Sequence, residues 1–115
     1  MDSNKALREL SNTIGVPEQT LQSILALFYN EHSQIREQTL LRVEQNSQQE
    51  LATYIHKLKG SSGSLQMHGL RQSLVLLEER LKLGQKLTVE DLEPLYLEMD
   101  FVIKQYQLDK VSAQS

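Results

Sequence analysis

The sequence predicts an all-α fold: an antiparallel four-helix bundle with a short extra N-terminal helix. Three observations predict it. Leu, Gln and Glu are abundant among the 115 residues, with Lys beside them, while Gly (5) and Pro (2) are few; these are helix-forming proportions. Apolar residues recur at three- and four-residue spacing through four long stretches. No alternating strand pattern competes with them. With 39% hydrophobic residues, 5% aromatics and no Trp, Leu must fill most of a single core, and one domain over 1–115 is expected.

The N-terminal "DSNKALRELSN" reads as a short helix over about 3–12 that ends before Gly15. Pro17 then opens the next helix, where its missing N–H does no harm. Leu21, Ile24, Leu25, Phe28 and Ile35 carry an apolar stripe on to about Val43. Ser47 and Glu50 have capping-box spacing, so the third helix begins near Ser47. Its inner stripe is Leu51, Ile55, Leu58, Ser62 and Leu65. "QMHG" over Gln66–Gly69 interrupts. A fourth helix carries Leu70, Leu74, Leu77 and Leu81, and Gly84 ends it as a left-handed cap. Thr88 to Asp91 forms a looser capping box before the last helix, lined by Leu92, Tyr96, Met99, Ile103 and Tyr106. The bundle spans about 17–108, and the tail over 109–115 is expected to fray.

Composition also excludes function classes. The net charge of −3 argues against a general nucleic-acid binder. The absence of Cys excludes disulfides and thiolate chemistry. No apolar run approaches the roughly 20 residues that span a bilayer, and "MDSNKALREL" lacks the apolar core of a signal peptide. A soluble cytoplasmic protein is expected. Charge is uneven: residues 51–87 carry net +4, between segments of −3 and −4.

The chemistry-bearing stretch, "YIHKLKGSSGSL", lies in that basic third. At about 100° per residue, the inner stripe occupies some 80° of the third helix. His56, Lys59, Gly60 and Gly63 fall on another face, roughly 80–180° from Leu51. Each helical Gly costs on the order of 0.5–1 kcal/mol against Ala. Two of them beside an outward imidazole would leave bare backbone where a large partner must approach. The alternative is that they serve tight helix packing or weaken the helix end near Gln66. An exposed neutral imidazole is a nucleophile that can form a phosphoramidate. Lys59, one turn on, would offset phosphoryl charge. His-x-x-Lys-Gly therefore suits a phosphoryl carrier.

His56-Lys57-Leu58-Lys59-Gly60-Ser61-Ser62, with Leu70 and Leu77-Glu78 at the usual distances, resembles the histidine-containing phosphotransfer (HPt) domains of bacterial multistep phosphorelays. The likeness in helical layout runs from about Pro17 to Tyr106. It implies that His56 accepts a phosphoryl group from a receiver-domain aspartate of a hybrid sensor kinase. His56 would then pass the group to an aspartate of a response regulator. It implies no autonomous kinase activity, no cofactor in this chain, and Mg²⁺ on the partner receiver. The basic segment, with Gly60, Ser61 and Gly63, would face the receiver's acidic pocket. A free-standing, monomeric carrier is expected; the alternative is a helical adaptor that binds signalling proteins without being phosphorylated.

The chain departs from the family pattern at three places. Gln66 stands where Gly is common, so the helix end is expected to run differently there. Ile55 is bulky where a small residue often precedes the His, and is expected to point inward. Glu78 stands where some members carry a Gln that contacts the imidazole. Glu78 either reaches His56 and fixes its tautomer or is a solvated helix carboxylate. Elsewhere, His32 is expected to be packed and His68 to lie in a turn, without the convergent ligands of a metal site. Ser62 faces inward, and Ser61 bonds backbone or lies near the contact surface. Val75 and Leu76 are expected to cover the bundle rather than form a docking patch.

Overall fold

The computed structural model describes residues 3–109. They form six helices: α1 (Ser3–Ile14), α2 (Glu18–His32), α3 (Ile35–Glu44), α4 (Gln48–Ser64), α5 (His68–Lys82) and α6 (Val89–Tyr106). No strand occurs among the described residues. The chain divides into two compact units. The described part of one is α1, α2 and residues 100–109; the other is Gln34–Met99. From residue 110 on, the expected frayed tail lies outside the described residues.

In the first unit α1 buries Ala6, Leu7 and Leu10, and α2 buries Leu21, Leu25 and Phe28. His32 is buried as well, its ring centroid 5.1 Å from that of Phe28. Ile24, expected in the stripe, is 38% exposed. Gly15, at φ +84°, ends α1.

The expected second helix is in fact two. Ser33 N–H still bonds Tyr29 C=O, but Gln34 leaves helical geometry at φ −100°, ψ 31° before α3 begins. No Gly or Pro marks the break. The buried positions Phe28, His32, Ile35 and Thr39 keep helical spacing across it, so periodicity carries straight through.

The second unit holds the expected stripe of α4 intact. Leu51, Ile55 and Leu58 are wholly buried, with Ser62 and Leu65 below them. Each such aliphatic side chain contributes on the order of 1.5–3 kcal/mol, which outweighs the 0.5–1 kcal/mol cost of each Gly in the same helix. Ile55 points inward, as its position requires. α5 buries Leu70, Leu74 and Leu77, while Leu81 is half-buried. α6 buries Leu92, Leu95, Tyr96 and Met99. The Tyr96 and Thr39 hydroxyls share a buried hydrogen bond of 2.6 Å, which ties α6 to α3.

Helix ends place the site. α4 begins after Ser47, but the Ser47 side chain makes no cap hydrogen bond; the expected hydroxyl cap is not formed. At α6 the looser box works from its acidic end. The Asp91 carboxylate accepts the Thr88 backbone N–H at 2.8 Å and its hydroxyl at 3.0 Å. It also receives Arg80 from the end of α5. These donors, the Thr88 backbone foremost, hold the Asp91 carboxyl below its ordinary range. Gly84, at φ +80°, closes α5 with Gly84 N–H to Leu81 C=O and Gln85 N–H to Arg80 C=O, a Schellman motif.

Gln66 closes α4 in the same way. Its φ is +58°, and Gln66 N–H and Met67 N–H bond Gly63 C=O and Ser62 C=O. The helix end therefore runs as it would with Gly, contrary to the expected change of course. The cost is a left-handed backbone at a residue with a Cβ. α4 then turns through Leu65–Met67 into α5 to form a tight αα-hairpin. Gln66→Gly should raise stability by about 0.5–1 kcal/mol, the left-handed penalty outweighing the added chain entropy. Denaturant unfolding checks this, with a higher midpoint at unchanged slope expected.

Candidate functional site

All the site residues lie in the unit Gln34–Met99. The antiparallel α4–α5 hairpin brings residue 56 against 78 and residue 63 against 71. The stripe that buries Ile55 turns the next side chain outward. The His56 ring is 72% exposed, whereas the Glu78 side chain on α5 is only 8% exposed.

Glu78 resolves the two readings of its role: it is not a solvated helix carboxylate. Its Oε2 is 2.6 Å from His56 Nδ1, and its Oε1 accepts Lys59 Nζ at 2.5 Å. Lys82, one turn along α5, brings a second ammonium to 3.8 Å of Oε1. A buried carboxylate needs such partners, because an unpaired charge in the interior is strongly unfavourable. The Lys59 ammonium holds the Glu78 carboxyl below the usual range. Burial opposes this, and the His56 bond then adds to the lowering.

An ionised carboxylate can only accept. His56 Nδ1 must therefore carry the proton of that bond, and in the neutral ring the lone pair is on Nε2. The geometry thus selects one tautomer. The nitrogen free to react is the one on the far side of the ring from the buried bond.

Lys59 is half-buried and spans to Glu78, so its ammonium balances a carboxylate in this state. Gly60 is exposed, and a Cβ built there meets nothing within 4 Å. It is bare backbone one turn from His56. Gly63 differs. A Cβ there would lie 3.1 Å from Arg71 Nε and 3.2 Å from Arg71 Cδ. The Arg71 side chain, reaching over from α5, covers the spot that the wheel leaves open. Gly63 therefore gives close packing, where bare surface was expected.

Ser61 and Ser62 both turn back onto α4, their hydroxyls donating to Lys57 C=O and Lys59 C=O. His68 is the exposed first residue of α5. Among the described residues no three His, Cys, Asp or Glu side chains group as a metal site would require, and no helix is long and apolar enough to cross a membrane.

Sequence reasoning missed two features. Lys82 is readable in hindsight from its position four residues after Glu78. A cleft of about 510 Å³ also opens beside the imidazole, with Ala52 and Leu81 among its apolar lining and Gln48, Thr53, Lys82 and Lys86 among its polar lining. It needs the α4–α5 pairing and has no signature in either helix alone. Leu76 is 54% exposed instead of covering the bundle, and lines a separate cleft with Leu83 and Pro94.

A family model for the Hpt domain matches residues 23–112. Comparisons with curated proteins and with solved structures return no match.

The Glu78 network makes stability depend on pH. Because the folded carboxyl is depressed, its contribution is present above the ordinary glutamate value of about 4.3 and is lost as pH falls through the folded value. Glu78→Gln lacks this dependence. The melting-temperature gap between wild type and Glu78→Gln should be widest near neutrality and should close below about pH 4. Thermal melts across pH 7 to 3 check this, and a gap constant with pH would contradict it.

Proposed function

As the chain belongs to the Hpt domain family, whose members are phosphocarrier modules of two-component phosphorelays, we propose that His56 is its phosphoacceptor. The observation that carries this reading is the exposed imidazole whose Nδ1 is held by buried Glu78, leaving Nε2 as the nucleophile. The phosphoryl group would come from an aspartyl phosphate on the receiver domain of a hybrid sensor kinase. It would pass on to the aspartate of a response regulator.

In each transfer the receiver brings Mg²⁺ and its acidic cluster. This chain brings a nucleophile, nearby ammonium groups and a clear surface, which suits a reaction governed by positioning and electrostatics. Lys59 would turn from Glu78 toward the incoming phosphoryl oxygens, a short swing for a flexible side chain. Gly60 lets the receiver's surface come close, and the net +4 of residues 51–87 favours an acidic partner. Ser61, on the same helix, borders that approach. The antiparallel four-helix bundle, a cytoplasmic location and a monomeric carrier without autonomous kinase activity belong to the same proposal.

Incubation with a phosphorylated receiver should label the chain with acid-labile, alkali-stable phosphate, and His56→Gln should abolish the label. Persistence of label in that variant would overturn the assignment. Absence of label in the wild type across a receiver panel would favour the adaptor reading. Gly60→Leu should keep the fold, since a Cβ at this exposed position meets nothing within 4 Å. It should slow transfer by about tenfold or more by blocking approach, measured as the initial rate of label uptake.

A further inference from the structure

Holding a tautomer does not require a charge. A neutral amide oxygen in place of Glu78 would also accept the Nδ1 proton. The chain instead buries an ionised carboxylate there, and Lys59 and Lys82 keep it company. The charge becomes useful once the ring itself becomes positive, which happens after Nε2 has taken a phosphoryl group.

The electron count shows where. On loading, the Nε2 lone pair forms the N–P bond as the P–O bond to the donor aspartate breaks. The aspartate leaves with its electron pair as a carboxylate. Nδ1 keeps its hydrogen, so the product ring is an N-phosphoryl imidazolium. If that ring kept its Nδ1 proton, the next transfer would release neutral imidazole. If it lost the proton, it would have to leave as imidazolate, a far poorer leaving group. On unloading, an oxygen of the acceptor aspartate forms the new O–P bond and the N–P pair returns to Nε2. No proton enters or leaves in either direction.

We propose that Glu78 is a positioning residue for the unloading step, its buried carboxylate keeping the Nδ1 proton on phosphorylated His56 so that the ring departs as neutral imidazole. This rests on the reading of His56 as phosphoacceptor. Two observations support it beyond the 2.6 Å contact. The carboxylate is shielded while the ring is open, so water competes poorly for the Nδ1 bond and a charge-assisted bond there is strengthened. Lys82 lies 3.8 Å from Oε1, so an ammonium stays beside Glu78 when Lys59 turns to the phosphoryl oxygens, and the carboxylate holds the proton as a weak base without removing it.

The groups facing the ring are few. Lys59 comes from α4, and Glu78 and Lys82 from α5; Lys86, after α5, lines the same cleft. Among the described residues that line the cleft, Glu78 is the only acid. Lys59 thus has two successive partners: Glu78 at rest, and the phosphoryl oxygens during transfer.

The test compares the whole chain with Glu78→Gln, both loaded from the same phosphorylated receiver. Onward transfer to a second receiver is followed from pH 6 to 9, and ¹⁵N NMR of the loaded ring reports whether Nδ1 is protonated. The variant should still load. Its onward rate should fall by about tenfold, and should decline with rising pH about one unit earlier than that of the wild type. Its Nδ1 should lose the proton over that same earlier range. Identical pH profiles and identical ¹⁵N titrations would overturn the proposal while leaving the carrier reading intact. Failure of the wild type to load would overturn the carrier reading, and this inference with it. Should Glu78→Gln not fold, the wild-type ¹⁵N titration decides alone. A loaded ring that keeps Nδ1–H at ~pH 7.5 supports the proposal, and one already deprotonated there overturns it.

Discussion

The site depends on one carboxylate taken out of water. Glu78 lies at the buried seam of α4 and α5, yet stays charged because Lys59 and His56 donate to its two oxygens and Lys82 lies nearby. Burial alone would favour the neutral acid. The ammonium of Lys59 decides the contest in favour of the ion. A charge-assisted bond in a shielded place is strong because water cannot easily replace it. The imidazole is thereby oriented from behind while most of the ring stays in solvent.

The scaffold makes that arrangement affordable. Ile55, next to His56 in sequence, is wholly buried, so the stripe of α4 fixes the outward direction of the histidine. The left-handed turn at Gln66 and the Schellman cap at Gly84 set both ends of α5. Asp91 anchors Arg80 near the second of these ends. Rigid helices on short turns hold reactive groups more closely than loops do. Gly60, where an added Cβ would meet nothing within 4 Å, lies exposed on α4 one turn from His56.

Much of this was legible in the sequence, and the failures have physical causes. The stripe of α4, the Gly84 cap and the start of α6 follow from local rules, because spacing and cap chemistry act within a few residues. The break at Ser33–Gln34 was not legible, because Phe28, His32, Ile35 and Thr39 keep helical spacing in the sequence across it. The Ser47 hydroxyl fits the capping pattern but makes no cap bond. The outward face of His56 could be read from a helical wheel. The engagement of Glu78 could not, since it joins residues 22 apart on different helices. Gly63 was misread for the same reason: a wheel shows its own helix, and the side chain that covers Gly63 comes from Arg71 on the next. The wheel places His56, Lys59 and Gly60 on one face of the helix; only the packed hairpin shows that Nδ1 is the ring nitrogen that meets Glu78.

The most direct measurement is the ³¹P–¹⁵N coupling in the loaded protein, with its histidine rings labelled. The account predicts a single phosphoramidate resonance coupled to Nε2 of His56. A phosphoryl group on Nδ1, on another residue, or on no nitrogen at all would contradict it.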